Sequence, residues 1–510
     1  MRLTDYLDKG AMLGEERPCL TMLDQTLTYL QTQKLSYKIA RVLQLLRVKP
    51  GSKVAILSSN DPIAFACVFG ISRAGAVWCP INPRSEANEN SFVLNAFDCE
   101  CLIFQSSFEA LVEKMLPDLP NMKTLICLDK KLSIATSLAE YMDTVSDEPI
   151  FIKPIDDLAM IAGTGGTTGQ PKGVMLTGRN IETMSALTLV GFPYEGRPAY
   201  LAMTPLTHAA GVLCFPIMLL GGRIVMTSKA DLGEYLQLIE QFKITHSFLP
   251  PTLIYMLLQS PYLSKTDTSS LQCLWYGAAP ISPARLEEAI ARLGPIMGQF
   301  FGQTEAPMMI SMMSPKDHFN EDGSIARHRL SSAGRPSPLV QVAAMSNDGK
   351  LLDIGERGEI VVRGSLVMPG YYKNEKATAE SSIFGWHHTG DIGYIDDEGY
   401  LYIVDRAKDM IITGGFNVYS VEVEQALMQH PGVLDCAVIG MPDEKWGERV
   451  VAVLQLNPDC KDHPDSFKQF VKDLIGSVKA PKQIEVWPDL PKSKVGKVLK
   501  KEIRATLMAD

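Results

Sequence analysis

Short apolar runs typical of β-strands alternate with helical patterns over most of this chain, up to Gly334. Residues 54–57 are a predicted strand and residues 61–76 a predicted helix, with further strands at 271–276 and 299–301. Such alternation indicates helices layered on mostly parallel sheets, because a parallel connection needs a crossover segment. The expected fold class of this part is therefore α/β.

The pattern changes after Gly334, where residues 358–364 and 393–404 read as antiparallel strands with a hairpin turn at Asp397-Glu398-Gly399. From about Lys408 a new α+β pattern starts. It has predicted helices at 421–429, 466–476 and 497–507 and predicted strands at 433–440 and 449–456. Residues 406–510 carry 15 basic and 15 acidic side chains, so the net charge of −9 belongs to the residues before them. We predict two domains, 1–407 and 408–510.

Residues 164–173 read Thr-Gly-Gly-Thr-Thr-Gly-Gln-Pro-Lys-Gly and follow the apolar run 158–162. A strand that leads into a glycine- and threonine-rich loop exposes backbone N–H groups, which bind phosphate oxygens. Lys172 follows proline and precedes glycine, so this is not a Walker A loop. A Rossmann fingerprint starting at Gly163 would need glycine where the chain has Thr168. The pattern favours a third kind of phosphate loop over a flexible linker, because linkers seldom follow a buried strand directly.

Composition excludes several classes of protein. With 510 residues, of which 46% are hydrophobic and 21% charged, the chain is long enough for several globular domains. A net charge of −9 argues against a nucleic-acid partner. We expect no transmembrane helix, because no apolar run reaches about 18 residues, and a cytoplasmic location, because the N-terminus does not resemble a signal peptide. The ten cysteines lie scattered, mostly in apolar runs, which predicts reduced, buried thiols.

With these features, the chain resembles the adenylate-forming enzymes, a superfamily of acyl-CoA synthetases, peptide-synthetase adenylation domains and beetle luciferases. The resemblance covers nearly the whole chain and rests on eight motifs in order. One motif alone would be weak evidence, whereas all eight in order are specific. They are the loop 164–173, Pro205-Leu206-Thr207-His208, Tyr276-Gly277-Ala278-Ala279-Pro280, Phe301-Gly302-Gln303-Thr304-Glu305, Thr389-Gly390-Asp391, Asp405-Arg406-Ala407-Lys408-Asp409, Gly414-Gly415-Phe416-Asn417 and the loop 491–497.

The resemblance implies a large N-terminal domain of layered α/β sheets with a small β-barrel-like part, and a small, mobile α+β C-terminal domain. It also implies a reaction in which a carboxylic acid and ATP form acyl-AMP and pyrophosphate, and the thiol of coenzyme A then takes the acyl group. The fatty-acid–CoA ligase branch is favoured. ATP, Mg²⁺ and coenzyme A are the expected cofactors.

The resemblance places the nucleotide among residues of five motifs. Glu305 is expected to bind Mg²⁺ with Thr167, Asp391 to bind the ribose, Arg406 to contact ribose or phosphate, and Phe301 to stack on adenine. From the residue types alone, Glu305 could form a structural salt bridge, Asp391 a turn and Arg406 a surface ion pair. The full expected set is Thr164, Gly165, Gly166, Thr167, Thr168, Gly169, Lys172, Gly277, Ala278, Ala279, Phe301, Gly302, Thr304, Glu305, Asp391 and Arg406.

The C-terminal motifs imply a rotating domain. Lys497 is expected to bridge the carboxylate and the α-phosphate during adenylation. Rotation about Lys408 would then withdraw Lys497 and bring in Gly414 and Gly415, which line the tunnel for the pantetheine arm. The resemblance places His208 at the mouth of the carboxylate site. The expected catalytic residues are Lys497, Glu305, Thr167 and His208.

Met308 belongs to the methionine-rich stretch 307–313 and is expected in an acyl pocket, because methionine packs adaptably against apolar chains. An ordinary core position is the alternative for both Met308 and His208. Two residues depart from the family pattern. Gly165 stands where many relatives carry serine, and Ser420 stands where proline is common, so we expect a looser turn at Ser420.

Several readings stay open. The acceptor is either coenzyme A or the pantetheine arm of an acyl carrier protein, and the acid is either aliphatic or aryl. An amino-acid adenylation domain is disfavoured, because residues 204–211 contain no acidic side chain for a substrate ammonium. A degenerate nucleotide-binding relative is also disfavoured, because Glu305, Asp391, Arg406 and Lys497 are all present. Peripheral membrane contact and a monomeric or homodimeric state are left undecided.

Overall fold

The structure is a computed structural model that describes residues 1–23, 25–164, 171–227, 229–492 and 498–509. The strands are β1 (Pro18–Met22), β2 (Gln25–Thr28), β3 (Lys53–Leu57), β4 (Val77–Pro80), β5 (Cys99–Phe104), β6 (Thr124–Cys127), β7 (Thr136–Ser137), β8 (Leu158–Thr164), β9 (Lys172–Thr177), β10 (Ala199–Ala202), β11 (Arg223–Met226), β12 (His246–Phe248), β13 (Cys273–Tyr276), β14 (Met297–Gln303), β15 (Ala306–Met313), β16 (Arg335–Pro336), β17 (Gln341–Met345), β18 (Gly358–Arg363), β19 (His387–Ile395), β20 (Leu401–Arg406), β21 (Ile411–Thr413), β22 (Phe416–Val418), β23 (Val433–Asp443), β24 (Gly447–Leu456) and β25 (Gln483–Val486).

The helices surround these strands. They are α1 (Leu3–Met12), α2 (Tyr29–Leu45), α3 (Pro62–Arg73), α4 (Ala87–Ala96), α5 (Glu109–Met115), α6 (Leu138–Met142), α7 (Gly178–Gly191), α8 (Ala209–Val212), α9 (Cys214–Leu219), α10 (Leu232–Phe242), α11 (Pro251–Gln259), α12 (Pro283–Leu293), α13 (Glu375–Glu380), α14 (Ser420–Leu427), α15 (Pro464–Ile475) and α16 (Lys500–Ala509).

Two mostly parallel sheets form the larger part of the molecule. One has the strand order β7-β6-β5-β3-β4-β8-β9, in which β8 and β9 pair antiparallel. The other has the order β16-β15-β14-β13-β12-β10-β11-β1-β2, with parallel pairing from β1 through β14. The predicted strands at 54–57, 271–276 and 299–301 correspond to β3, β13 and β14, and the predicted helix at 61–76 is α3. The α/β fold class is confirmed.

Local sequence explains where α3 begins. The Asp61 carboxylate accepts hydrogen bonds from the N–H groups of Ile63 and Ala64, and Pro62 occupies the first turn, where a missing N–H costs nothing. The helix that follows is almost entirely buried. An apolar helix with a polar start at the surface is what a crossover between parallel strands requires.

The antiparallel regions also follow the predicted pattern. Strands β17 to β20 form a four-stranded antiparallel sheet, and the predicted hairpin at 393–404 is the β19–β20 pair. In the C-terminal region, β23 and β24 form a long antiparallel pair, and both β21 and β25 pair with β24. Helices α14, α15 and α16 correspond to the three helices predicted there.

The core divides in the same way as the sheets. The largest buried clusters involve residues before 378, whereas two separate clusters are built entirely from residues of 411–503. Nine cysteines are buried and Cys460 is half-buried, all as free thiols. Within the residues that the structure describes, no helix is both long enough and apolar enough to cross a bilayer.

Buried histidines make stability depend on pH. Burial lowers the pKa of both His246 and His318 from the usual 6.5 to about 4. Between these values the unfolded chain binds more protons than the folded one, so stability falls as the pH falls from 6.5 to 4. The loss approaches about 3 kcal/mol for each histidine. We expect the melting temperature of His318→Gln to fall less steeply over this pH range than that of the native protein, as measured by scanning calorimetry.

The exposed His463 supplies the control. Its side chain is 78% exposed, so His463→Gln should leave the slope of melting temperature against pH unchanged. Parallel slopes for the native protein and His318→Gln would contradict the explanation.

Candidate active site

The glycine- and threonine-rich segment lies between two paired strands. Strands β8 and β9 are antiparallel, and Thr164 at the end of one lies opposite Lys172 at the start of the other. Lys172 therefore lies at the edge of the sheet where the predicted phosphate loop connects β8 to β9. The predicted loop residues themselves, Gly165, Gly166, Thr167, Thr168 and Gly169, lie outside the described part of the chain.

Tyr371 connects Lys172 to Glu305. The Lys172 Nζ lies 4.9 Å from the centre of the Tyr371 ring, and the Tyr371 hydroxyl donates a hydrogen bond of 2.8 Å to Glu305 Oε1. Glu305 is 8% exposed, and among the described residues it has no ion-pair partner, so the salt-bridge alternative is not observed. Burial and the neighbouring Glu305 carboxylate hold the pKa of Tyr371 well above its usual value. The predicted phosphate and metal residues thus share one location.

Close backbone packing surrounds Glu305. The residue lies in the short connection between β14 and β15, and a Cβ at Gly302 would come within 2.5 Å of the Met308 Cα, so only glycine fits there. Met308 has a φ of +57°, which is rare for a methionine and marks a constrained backbone. Its side chain is buried in the main hydrophobic core together with that of Met309, and Met313 is buried as well.

The segments at 277–279 and 301–304 follow or end adjacent parallel strands, β13 and β14, and so lie at one edge of the sheet. A Cβ at Gly277 would come within 2.5 Å of the Phe300 carbonyl oxygen, so the protein's own packing already requires glycine there. Ala278 is exposed with a φ of +65°, Ala279 is half-buried, and Phe301 and Thr304 are half-buried. This edge therefore presents small residues beside an accessible aromatic ring.

Asp391 and Arg406 lie opposite each other on β19 and β20. The Arg406 Nε is 2.7 Å from Asp391 Oδ1, and Asp391 is 3% exposed. Asp391 thus lies within a strand rather than in a turn, and Arg406 makes its ion pair with a buried carboxylate. The Gln303 amide donates to the Thr389 carbonyl at 3.4 Å, which joins the Glu305 hairpin to the Asp391 strand.

Sequence reasoning did not find two polar residues that support these groups. Tyr371 is one, and its Pro-Gly-Tyr-Tyr setting carried no recognisable signal. Glu359 is the other. It accepts a hydrogen bond of 2.9 Å from the Gly390 N–H and lies 2.8 Å from the Nδ1 of His388. The Tyr371–Glu305 and Glu359–Gly390 hydrogen bonds join residues that are far apart in the chain. A local sequence pattern therefore could not reveal them.

His208 is not a packed core residue. Its side chain is exposed to solvent at the start of α8, with Nδ1 2.8 Å from the Thr207 hydroxyl. Desolvation, followed by the charge of Arg84, lowers the pKa of this ring, which favours the neutral imidazole. Arg84, which sequence reasoning missed, places a second polar group near the predicted carboxylate site.

The glycines of the C-terminal region form a tight turn. Gly414 and Gly415 connect β21 and β22 with φ angles of +58° and +82°, the pattern of a type I′ hairpin turn. A Cβ at Gly414 would come within 2.8 Å of the Trp446 ring. Lys408 is exposed, and desolvation lowers its pKa. Lys497 lies outside the described residues.

The expectation of a looser turn at Ser420 is wrong. Ser420 is fully buried, and both its N–H and its hydroxyl donate hydrogen bonds to the Asp405 carboxylate. Proline could make neither bond. Where a proline would restrict the backbone by its ring, Ser420 restricts it by two hydrogen bonds to Asp405.

The sequence matches two family models in order. Residues 7–372 match the AMP-binding enzyme family, and residues 422–497 match the AMP-binding enzyme C-terminal domain. Among solved structures, the amide bond synthetase of Marinactinospora thermotolerans superimposes with a TM-score of 0.90 at 28% identity, covering 99% of both chains.

Curated relatives of similar length act on different acids. A medium/long-chain-fatty-acid–CoA ligase of Mycobacterium tuberculosis is 35% identical, over 96% of this chain and 87% of its own. A feruloyl-CoA synthase of an Amycolatopsis species is 34% identical, over 94% and 93%. A fatty acid–acyl-carrier-protein ligase of Streptomyces coeruleorubidus is 32% identical, over 97% and 94%.

The contact between Tyr371 and Glu305 gives a stability prediction. Tyr371→Phe removes the one donor to the buried Glu305 carboxylate that the described residues supply, which should cost about 1.5–3 kcal/mol, the range for hydrogen bonds to charged groups. We expect a clearly lower melting temperature, measured by calorimetry. Tyr372→Phe is the matched control, because its hydroxyl donates at 2.8 Å to Asp98, whose side chain is 36% exposed and also pairs with Lys373. Equal losses in the two variants would show that burial of the Glu305 carboxylate is not the cause.

Proposed function

The chain belongs to the AMP-binding, adenylate-forming enzyme family, and from that premise we propose that it is an ATP-dependent acid–CoA ligase. A carboxylic acid and ATP form acyl-AMP and pyrophosphate, and coenzyme A then displaces AMP to give acyl-CoA. One observation carries the assignment. Lys172, Glu305 and the Asp391–Arg406 pair, which the sequence spreads over more than two hundred residues, are brought together by Tyr371 and Gln303.

In the first half-reaction two anions must approach each other, so their repulsion has to be cancelled. Lys172 and the backbone N–H groups of residues 164–169 would bind the β- and γ-phosphates. Asp391 would accept hydrogen bonds from the ribose hydroxyls, with Arg406 beside it. Gly277, Ala278 and Ala279 would let the adenine lie against backbone, next to Phe301, with Gly302 and Thr304 completing the edge.

Glu305 fits a magnesium ion bound chiefly through phosphate. The described residues contain no cluster of three potential metal ligands, so a single carboxylate with Thr167 and phosphate oxygens is the arrangement we propose. When bound, Mg²⁺ would neutralise phosphate charge. The Tyr371 hydroxyl donates to Glu305 Oε1. This hydrogen bond would fix the carboxylate so that Oε2 is the oxygen that binds the ion.

We place the division between domains at residues 407 and 408. Separate hydrophobic cores on the two sides support it. Lys497 would stabilise the adenylation transition state, and rotation about Lys408 would replace it with the Gly414–Gly415 turn for attack by the thiol. A thiol is readily activated, so this half-reaction demands no dedicated base.

For the acid we propose a medium- or long-chain fatty acid. The fatty-acid–CoA ligase of M. tuberculosis supports this choice, as does an apolar strand with Met308 beside Glu305. His208, whose side chain is exposed, would line the carboxylate entrance. The feruloyl-CoA and carrier-protein relatives favour two alternatives, an aryl acid and a carrier-protein acceptor.

Pyrophosphate release distinguishes these alternatives. We expect release with Mg-ATP and aliphatic acids of medium or long chain, rising steeply when coenzyme A is added, because the thiol frees the enzyme from acyl-AMP. Benzoate and cinnamate acids serve as comparison substrates. Release that stops near one equivalent and ignores coenzyme A would favour a carrier protein, and preference for the aryl acids would contradict the fatty-acid proposal.

Lys497→Ala should separate the two half-reactions. Removing this charge should reduce acyl-AMP formation by about 10²–10³-fold or more, in the range found when a single transition-state donor is lost. Conversion of supplied acyl-AMP to acyl-CoA should persist. Unchanged acid-dependent exchange of pyrophosphate into ATP would contradict the role of Lys497.

Lys408→Pro is the complementary variant. Proline restricts the φ change that rotation needs, so adenylation should persist and thioester formation should be lost. A parallel loss of both activities would indicate misfolding and not a blocked hinge.

A further inference from the structure

A polar network with two buried and two half-buried members joins the end of β20 to two helices of the C-terminal domain. Asp405, 1% exposed, accepts hydrogen bonds from the backbone N–H of Ser420 and, at 2.9 Å, from its hydroxyl. Lys500 Nζ donates to the Ser420 Oγ at 2.6 Å and pairs with Glu424 Oε1 at 2.7 Å. We call Asp405, Ser420, Glu424 and Lys500 the hinge network.

The network is anchored firmly on its C-terminal side. The Val438 N–H donates to Glu424 Oε1 at 2.8 Å, which ties the network to β23. Burial raises the pKa of Glu424 and of Asp405. Burial would lower the pKa of Lys500, but the Glu424 and Asp405 carboxylates outweigh it and the pKa is raised. Such a buried set stabilises one arrangement when every member is paired, and costs free energy when one partner leaves.

The members of the network lie on both sides of Lys408. Asp405 precedes it in the chain, whereas Ser420, Glu424 and Lys500 follow it. A rotation about Lys408 carries the later three away from Asp405 together. The bonds between Ser420 and Asp405 therefore exist in the domain orientation of this structure and break when the domain turns.

That orientation places the starts of α14 and α16 at the end of β20 that carries Arg406. Asp405 is adjacent in sequence to Arg406, whose guanidinium is 2.7 Å from Asp391. Lys500 begins α16, the helix that follows the Lys497 loop, and its charged end lies within this network. The network therefore favours the orientation in which the start of α16 lies at the end of β20, one residue before Arg406.

We propose that Ser420, together with Asp405 and Lys500, positions the C-terminal domain for adenylation, and that these bonds must break before the thioester forms. The inference rests on the proposed function. Ser420 is the first residue of α14, where its N–H has no partner within the helix. Asp405 supplies that partner from across the hinge, so one carboxylate both caps the helix and fixes the domain.

Ser420→Pro removes both bonds without breaking α14. Proline is well accommodated at the first helical position, and the preceding Tyr419 has φ −87° and ψ 119°, a conformation that a following proline permits. We expect acyl-AMP formation, followed by pyrophosphate exchange, to fall about tenfold or more, since about 1.4 kcal/mol corresponds to tenfold. Conversion of supplied acyl-AMP and coenzyme A should be unchanged or faster. Ser420→Ala, which keeps the N–H, should show a smaller fall.

Lys479→Met is the matched control. Lys479 pairs with Glu422, which lies on α14 together with Ser420. Both Lys479 and Glu422 follow Lys408, so they rotate together. Lys479→Met should leave unchanged the rate of acyl-AMP formation divided by the rate of acyl-CoA formation from supplied acyl-AMP. Lys500→Met should lower this ratio. Equal losses of both half-reactions in Ser420→Pro, or unchanged adenylation, would overturn the proposal.

Hydrogen–deuterium exchange separates this inference from the proposed function. In the protein without substrates, Ser420→Pro should increase exchange over residues 405–424 relative to the native protein, and Lys479→Met should not. This readout needs no acid substrate, so it tests the network even if no acid is turned over. Unaltered exchange in Ser420→Pro would show that the network does not restrain the domain.

Discussion

The buried carboxylate of Glu305 is the group on which the arrangement of the site depends. A charge that is 8% exposed needs donors or cations close by, since desolvation is costly. Tyr371 supplies the donor and lies over Lys172, and this requirement joins the β14–β15 hairpin, the β8–β9 pair and the segment after β18. Close packing at Gly302 and the constrained backbone of Met308 follow from the same tight connection.

A second buried carboxylate organises the junction between the domains. Asp405 accepts hydrogen bonds from the N–H of Arg406 in its own strand and from the N–H and hydroxyl of Ser420, and the Ser420 hydroxyl in turn accepts from Lys500. Both carboxylates lie beside residues proposed to bind nucleotide. In each case a carboxylate in a poorly solvated position is stabilised by residues from a distant part of the chain. The need to stabilise it therefore fixes how distant segments pack against each other.

Much of the fold could be predicted from the sequence, and part of the site could not. The strands β3, β13, β14, β23 and β24 carry apolar runs that local periodicity reveals. The roles of Tyr371 and Glu359 depend on partners more than thirty residues away or on the register of paired strands. The residue type of Ser420 alone predicts a looser turn, because the sequence does not reveal that its N–H donates to the Asp405 carboxylate.

The sequence by itself determined the α/β class, the antiparallel hairpins, the change of pattern near residue 408 and the residue types available to bind phosphate, ribose and metal. These properties depend on neighbours a few positions apart, which periodicity and turn chemistry record. Tertiary structure alone decided that Lys172 meets Tyr371, that Asp391 faces Arg406 and that Ser420 joins Asp405. Those contacts follow from sheet order, register and burial, which are properties of the packed chain and not of any short segment.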